Sequence, residues 1–138
     1  MAMTVHCDIV SAGSEIFSGL VEMVVASGHD GELGIIYDHA PLLTSLIPGY
    51  VRVIKQGGTE EVFYVSGGYL EVQPTHVSIL ADEAERAGDI DEASAEKARQ
   101  DALNAIAGSS GEFDYEHVTM QLAEAEARLR AIKQLKQR

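Results

Sequence analysis

Up to Leu80, apolar residues alternate with polar ones and glycines punctuate every few positions; beyond Asp91, alanines and charged residues recur at helical spacing. The chain therefore has two unlike halves. Their joint, Leu80 to Asp91, has no β-branched residue between Leu80 and Ile90. In the first half, Val5, Cys7 and Ile9 alternate with Thr4, His6 and Asp8, the period of a strand with one buried face. Ser11 to Ser14 makes a polar turn, and Ile16 to Ala26 predicts a longer strand bent at Gly19. Ser27 to Gly31 interrupts it, and a short run at Ile35 to Tyr37 precedes Asp38, His39, Ala40 and Pro41. Leu42 to Ile47 then predicts a strand ended by a Pro48, Gly49 turn. Hairpins follow, Tyr50 to Gln56 with Glu60 to Ser66 about Gly57 and Gly58, and Tyr69 to Gln73 with His76 to Leu80 about Pro74 and Thr75.

In the second half, Asp89 followed by Glu92 has the form of a capping box and predicts a helix from about Ile90 to Ala107, with Gly108 as its stop. Its stripe is Ala95, Ala98, Ala102 and Ala105, flanked by Leu103 and Ile106. After a turn from Gly108 to Gly111, Asp114 caps a second helix, with Phe113 and Val118 placed as a hydrophobic staple. Val118, Leu122, Ala125, Leu129 and Ile132 form its apolar seam. The fold class that follows is α+β: an N-terminal antiparallel β-sandwich or barrel over residues 1–87, then a C-terminal αα-hairpin over 88–138. Alanine buries little area, so the hairpin should dock weakly on the sandwich, which makes it the candidate moving part.

Composition narrows the function. The 138 residues are 46% apolar with a net charge of -12, which disfavours nucleic-acid phosphates as a partner. Residues 81–127 carry thirteen acids against three basic residues, whereas 128–138 carry five basic residues and no acid. That basic end suits either an acidic partner or the helix dipole. No apolar run is long enough to span a bilayer, and Met1 to Asp8 lack a signal-peptide pattern, so a cytosolic placement is expected. Cys7 stands alone and fits a small buried hydrophobe.

Standard catalytic motifs are missing. There is no phosphate-binding Gly-rich loop, and Ser66 beside Gly67 and Gly68 lacks a nucleophile elbow and is taken as a strand end. The histidines His6, His29, His39, His76 and His117 stand apart, so no metal site is expected. Glu32, Asp38 and His39 could serve acid/base chemistry, but with no nucleophile beside them a turn cap and a loop carboxylate are the simpler reading, and a recognition surface the better one.

Gly31, Glu32, Leu33 and Gly34, then Asp38, His39, Ala40, Pro41, Leu42, Leu43 and Thr44, then Pro48 and Gly49, and later Ser66, Gly67, Gly68, Tyr69, Leu70, Glu71 and Val72, resemble the epsilon subunits of bacterial F-type ATP synthases. The resemblance spans nearly the whole chain. It implies a sandwich of about ten strands, a helical hairpin, and a rotor part without an active site, coupling the gamma subunit and the membrane proteolipid ring to the catalytic head. Partner contact falls by resemblance on Gly31, Glu32, His39, Ala40, Pro41 and Leu42. The location implied is the cytoplasmic face of the bacterial inner membrane, as a peripheral part of the synthase.

The resemblance also implies a brake: the hairpin, extended along gamma, blocks ATP hydrolysis, with Arg128, Arg130, Lys133 and Lys136 meeting acidic surfaces of the head. Some relatives bind ATP on the folded hairpin through an Ile/Leu-Asp-x-x-Arg-Ala motif and arginines of the second helix. Here Ile90, Asp91 and Ala95 keep that motif, and Ser94 replaces its arginine. Asp91 and Arg128 are what remains for a nucleotide, so weak or no ATP binding and no other cofactor are expected. Two competing classes are a small hydrolase or lyase on Glu32, Asp38 and His39, and a free-standing ligand-binding sandwich.

Overall fold

The computed structural model describes residues 3–28, 30–108 and 114–137. Eight strands come first: β1 (Val5–Ser11), β2 (Ser14–Gly28), β3 (Gly31–Ile35), β4 (Leu42–Lys55), β5 (Glu60–Val65), β6 (Gly68–Gln73), β7 (His76–Ala81) and β8 (Ala84–Arg86). A 3-10 turn at Ala87–Asp89 leads to the helices α1 (Glu92–Ala107) and α2 (Tyr115–Lys136). The class is α+β, as the patterning predicts. The alternation in β1 is realised directly, with Val5, Cys7 and Ile9 all buried. For Cys7, burial first and the Asp8 charge second push the thiol up to about 12, so it stays a neutral core side chain.

The strands run in the order β3-β2-β1-β7-β6-β4-β5-β8, and a further β2–β4 pairing folds this ribbon into two facing layers. Every pairing is antiparallel except β1 with β7, which is parallel. Parallel neighbours need a long connection, and the strands between β1 and β7 supply it. Between the layers lie Ile9, Phe17, Val21, Ile35, Phe63, Leu70 and Ile79. Phe17 meets Phe63 edge to face with centroids 5.7 Å apart.

The predicted turn at Pro48 and Gly49 does not form. Leu42 to Leu46 pairs with β6 and Gly49 to Ile54 pairs with β5, so one continuous strand serves both layers. Proline cannot donate to a ladder, and Pro48 falls at the change of partners. Gly49 is required by close approach: a Cβ there would sit 2.5 Å from Ser27 Oγ of β2. β2 is likewise longer than the predicted Ile16 to Ala26, pairing first with β1 and then with β3. Eight strands with two used twice make the ten segments that the resemblance implies.

Part of the joint is also sheet. Ala84, Glu85 and Arg86 pair with Val65, Tyr64 and Phe63 as β8, although none of the three favours a strand by itself. Ser66 is more than a strand end: its Oγ accepts from Glu83 N–H at 2.8 Å and its own N–H donates to Glu83 O at 2.9 Å, tying the start of β8 to the end of β5. Nearby, Gly68 stands at φ +129°, and a Cβ there would lie 2.0 Å from Leu80 O, a contact no other residue could make.

Both helices start on aspartate. Asp91, not Asp89, caps α1, with Oδ1 accepting from the N–H groups of Ala93 at 3.0 Å and Ser94 at 3.3 Å. Asp89 lies instead in the 3-10 turn. Asp114 caps α2 by accepting from His117 N–H. Phe113, half of the predicted staple, and the predicted turn beyond Gly108 lie outside the described residues. Of the predicted seam, Ala125 and Ile132 are buried, and Ala125 lines a cleft shared with Ala102 and Ala105 of α1. A second stripe, Ala127, Ala131 and Leu135, packs on Val62 and Tyr64 of β5 and on Ala87. This stripe fastens the hairpin to the sandwich.

Candidate functional site

The residues expected to meet partners fall at two places. Gly31 and Glu32 open β3, opposite Gly28 and Ser27 of β2. His39, Ala40 and Pro41 follow the far end of β3, and Leu42 opens β4 opposite Val72. Leu33, Gly34 and Ile35, the rest of β3 at about 3.3 Å each, and the turn at Ile36 to Asp38 separate the two groups. Glu32 Oε2 accepts from Tyr50 OH at 2.5 Å, and burial, then this hydrogen bond, push the Tyr50 phenol up so that it stays a donor. His39 Nδ1 lies 2.8 Å from Ala40 O, while Asp38, at φ +67°, donates its N–H to Pro74 O. Glu32, Asp38 and His39 therefore do not assemble into one acid/base site. The distance along β3 is the reason.

Alternation hid a further surface, because apolar residues also occupy outward positions. Strand register sets Tyr69 beside Leu80 and Leu80 beside Val10, a row across β6, β7 and β1. Tyr69 and Leu80 are 58% and 55% exposed, and Leu43 and Leu20 on the flanking strands are exposed as well. Near the Asp38 loop, Ile36 and Tyr37 join Met3, Met23 and Ile54 around an apolar cleft of about 510 Å³. Exposed apolar ground of this kind marks a surface made to be covered.

Arg128 is the centre of the hairpin contact. Its guanidinium lies 4.4 Å above the Tyr64 ring, its Nε donates to Glu85 Oε1 at 3.1 Å, and its Nη2 is 3.7 Å from Glu83 Oε2. Burial lowers its pKa, but the Glu85 bond and the surrounding charges outweigh burial and the net shift is upward. Beneath α2, Tyr64 is fully buried and its hydroxyl has no hydrogen-bond partner among the described residues. Arg130 donates to Pro48 O at 3.3 Å, Lys136 Nζ reaches Glu92 Oε1 at 2.9 Å, and Lys133 is exposed.

Asp91, Ser94 and Arg128 do come together, around a cleft of about 310 Å³ that Glu85, Asp89 and Ala98 also line. Three carboxylates face one guanidinium there, and that guanidinium already holds Glu85. A polyphosphate entering would meet net negative charge. Two histidines that stand apart in sequence are also neighbours: pairing of β1 with β7 sets His6 against His76, with Asp8 beside both. The sequence signal was there only as outward positions on two strands whose pairing no local pattern reveals.

Among the described residues no helix is long and apolar enough to cross a membrane. Residues 4–87 match the family of the ATP synthase delta/epsilon chain beta-sandwich domain, and residues 89–133 match that of the ATP synthase delta/epsilon chain long alpha-helix domain. The fold is similar to a chain in the cryo-EM structure of the Euglena gracilis mitochondrial ATP synthase (OSCP/F1/c-ring), at 20% identity and TM-score 0.76, covering 97% of this chain and 80% of that one. It is also similar to a chain of the Tetrahymena thermophila mitochondrial ATP synthase central stalk/c-ring, at 14% identity and TM-score 0.63, covering 95% and 98%.

Proposed function

The chain belongs to the ATP synthase delta/epsilon family, and from that premise we propose that it is the non-catalytic central-stalk subunit of a proton-translocating ATP synthase. Its sandwich joins the gamma subunit and the proteolipid ring to the catalytic head, and its hairpin restrains ATP hydrolysis when it leaves the sandwich. It works at the cytoplasmic face of a bacterial inner membrane, as a peripheral part of the complex. The exposed Leu80 and Tyr69, in one row with the half-buried Val10, support a protein partner on the outer face of the sandwich, and the two similar structures come from complexes that contain a c-ring. Glu32 at one end of β3 and His39 to Leu42 at the other offer polar contacts to two different neighbours.

The observation that carries the restraining role is the make-up of the hairpin contact. Ala127, Ala131 and Ala87 supply short side chains, and the ion pairs of Arg128 with Glu85 and Glu83 are partly exposed. An alanine methyl contributes about 0.8 kcal/mol on burial, and surface ion pairs about 0–1 kcal/mol. A contact of that size separates without unfolding either half. Separation frees Arg128 and Arg130 from Glu85 and Pro48 to meet acidic surfaces of the head, beside Lys133 and Lys136 on the same helix.

The test compares the full chain with one truncated after Gly88, each mixed with a catalytic head stripped of this subunit. Both should co-elute with the head, and only the full chain should lower ATPase rate. Failure to co-elute sinks the stalk assignment; equal inhibition by the truncated chain sinks the brake. For nucleotide, the acidic lining of the Asp91 cleft and the missing arginine at Ser94 support weak or no ATP binding. Calorimetry on the isolated chain should show no micromolar affinity, and Ser94→Arg should strengthen whatever binding exists.

A further inference from the structure

The parallel register of β1 and β7 sets His6 opposite His76, and the two rings stack with centroids 5.1 Å apart and planes 22° apart. Asp8, two residues along β1, projects from the same face as His6. Its Oδ1 lies 3.0 Å from His6 Nε2, and its Oδ2 lies 3.1 Å from His76 Nε2. Ser18, opposite Asp8 on β2, donates to Oδ1 at 2.7 Å. Its Oγ is also 3.2 Å from His6 Nε2. Three paired strands thus hold four polar side chains on one partly exposed patch.

We propose that His6, Asp8 and His76 form a binding site for a divalent transition-metal ion, with zinc as the best-suited occupant. Two imidazoles and a carboxylate are the donor set that favours zinc, copper and nickel over magnesium and calcium. Zinc bonds to nitrogen and carboxylate oxygen at roughly 2.0–2.2 Å, which in a tetrahedron places donor atoms about 3.3 Å apart. The two His–Asp distances already fall close to that spacing, and the donor atoms of all three residues lie within 4.8 Å of one another. Ligation would use the lone pair of each Nε2, which leaves the ring proton to Nδ1 in the ion-bound form.

Ser18 fixes the direction of the Asp8 carboxylate through its 2.7 Å hydrogen bond, the part that outer partners play at metal sites. Three protein ligands leave a fourth position open to water. Because β1, β2 and β7 share one layer of the sandwich, an ion here would bind a preformed surface and would leave the hairpin untouched.

The alternative is a carboxylate that merely accepts from two imidazoles and takes up no ion. The full chain, freed of metal by a chelator, should be titrated with zinc chloride by calorimetry and with cobalt(II) chloride by visible absorption. One ion per chain is expected. His6→Gln and His76→Gln should each weaken binding by about tenfold or more, Ser18→Ala by about tenfold, and His39→Gln not at all. Circular dichroism of each variant checks that the sandwich is intact, so that loss of binding is not loss of fold. No zinc uptake by the wild-type chain, or uptake that survives both His6→Gln and His76→Gln, would overturn the site.

Discussion

Two contacts organise this chain, and they differ in kind. Between the sandwich layers, Ile9, Phe17, Phe63, Leu70 and Ile79 interdigitate with essentially no exposure beyond a trace at Phe17. Between sandwich and hairpin, Ala127 and Ala131 meet Val62, Tyr64 and Ala87, and a guanidinium lies over a ring whose hydroxyl has no partner among the described residues. Each large core side chain contributes about 1.5–3 kcal/mol, whereas each alanine contributes about a third of that. Stability is thus distributed unevenly between the two contacts, which is the ground of the proposal that the hairpin separates while the sandwich stays rigid.

The comparison breaks most severely at its strong end. Phe63→Ala should lower global stability by about 3–5 kcal/mol, read as a shift of the urea midpoint. Gly68→Ala should also unfold the sandwich, since Leu80 O stands where the new Cβ would go. A loss below about 1 kcal/mol in either would remove the distinction between the two contacts.

A smaller effect is expected at the weak end. Arg128→Ala removes the bonds to Glu85 and Glu83 and the stacking on Tyr64, worth about 1–2 kcal/mol together. Hydrogen exchange should quicken in α2 while the strands keep their protection; unchanged α2 protection would show that this residue is not the clamp. Tyr64→Phe should act in the opposite sense. Deleting a buried hydroxyl with no partner among the described residues should tighten docking by about 1 kcal/mol and slow exchange in α2.

The gentlest probe is pH. The Ser94 hydroxyl first, and the Ser94 backbone N–H next, hold the Asp91 carboxyl below its usual range. A lowered folded pKa means that the cap's contribution is present above the unfolded value of about 3.9 and is lost as pH falls through the folded value. The start of α1 should therefore fray only on acidification below about 4, seen as amide shifts at Ala93 and Ser94. Asp91→Asn keeps a capping oxygen and should abolish that response.

Much of the fold was legible in local pattern. Val5, Cys7 and Ile9 announced β1, Pro74 and Thr75 announced the turn between β6 and β7, and Asp114 announced the start of α2. Misreadings came where a local signal served a distant need. Pro48 and Gly49 have turn chemistry, yet they sit inside β4 because the strand changes partners there and β2 comes too close for a side chain. Asp89 and Asp91 are both plausible caps, and the 3-10 turn absorbed the first. The candidate sites were less legible than the fold. Glu32 and His39 lie close in sequence and are held apart by β3, whereas His6 and His76 lie far apart in sequence and are stacked.

By itself, the sequence determined the two unlike halves, the buried face of β1 and the polar cap of α2 at Asp114, because periodicity and capping depend on neighbours a few residues away. Tertiary structure alone decided that Ala84 to Arg86 becomes a strand, that Ala127 and Ala131 face β5, and that β1 lies parallel to β7. Those outcomes depend on which distant backbone supplies a ladder or a surface, and no period within a segment encodes its partner.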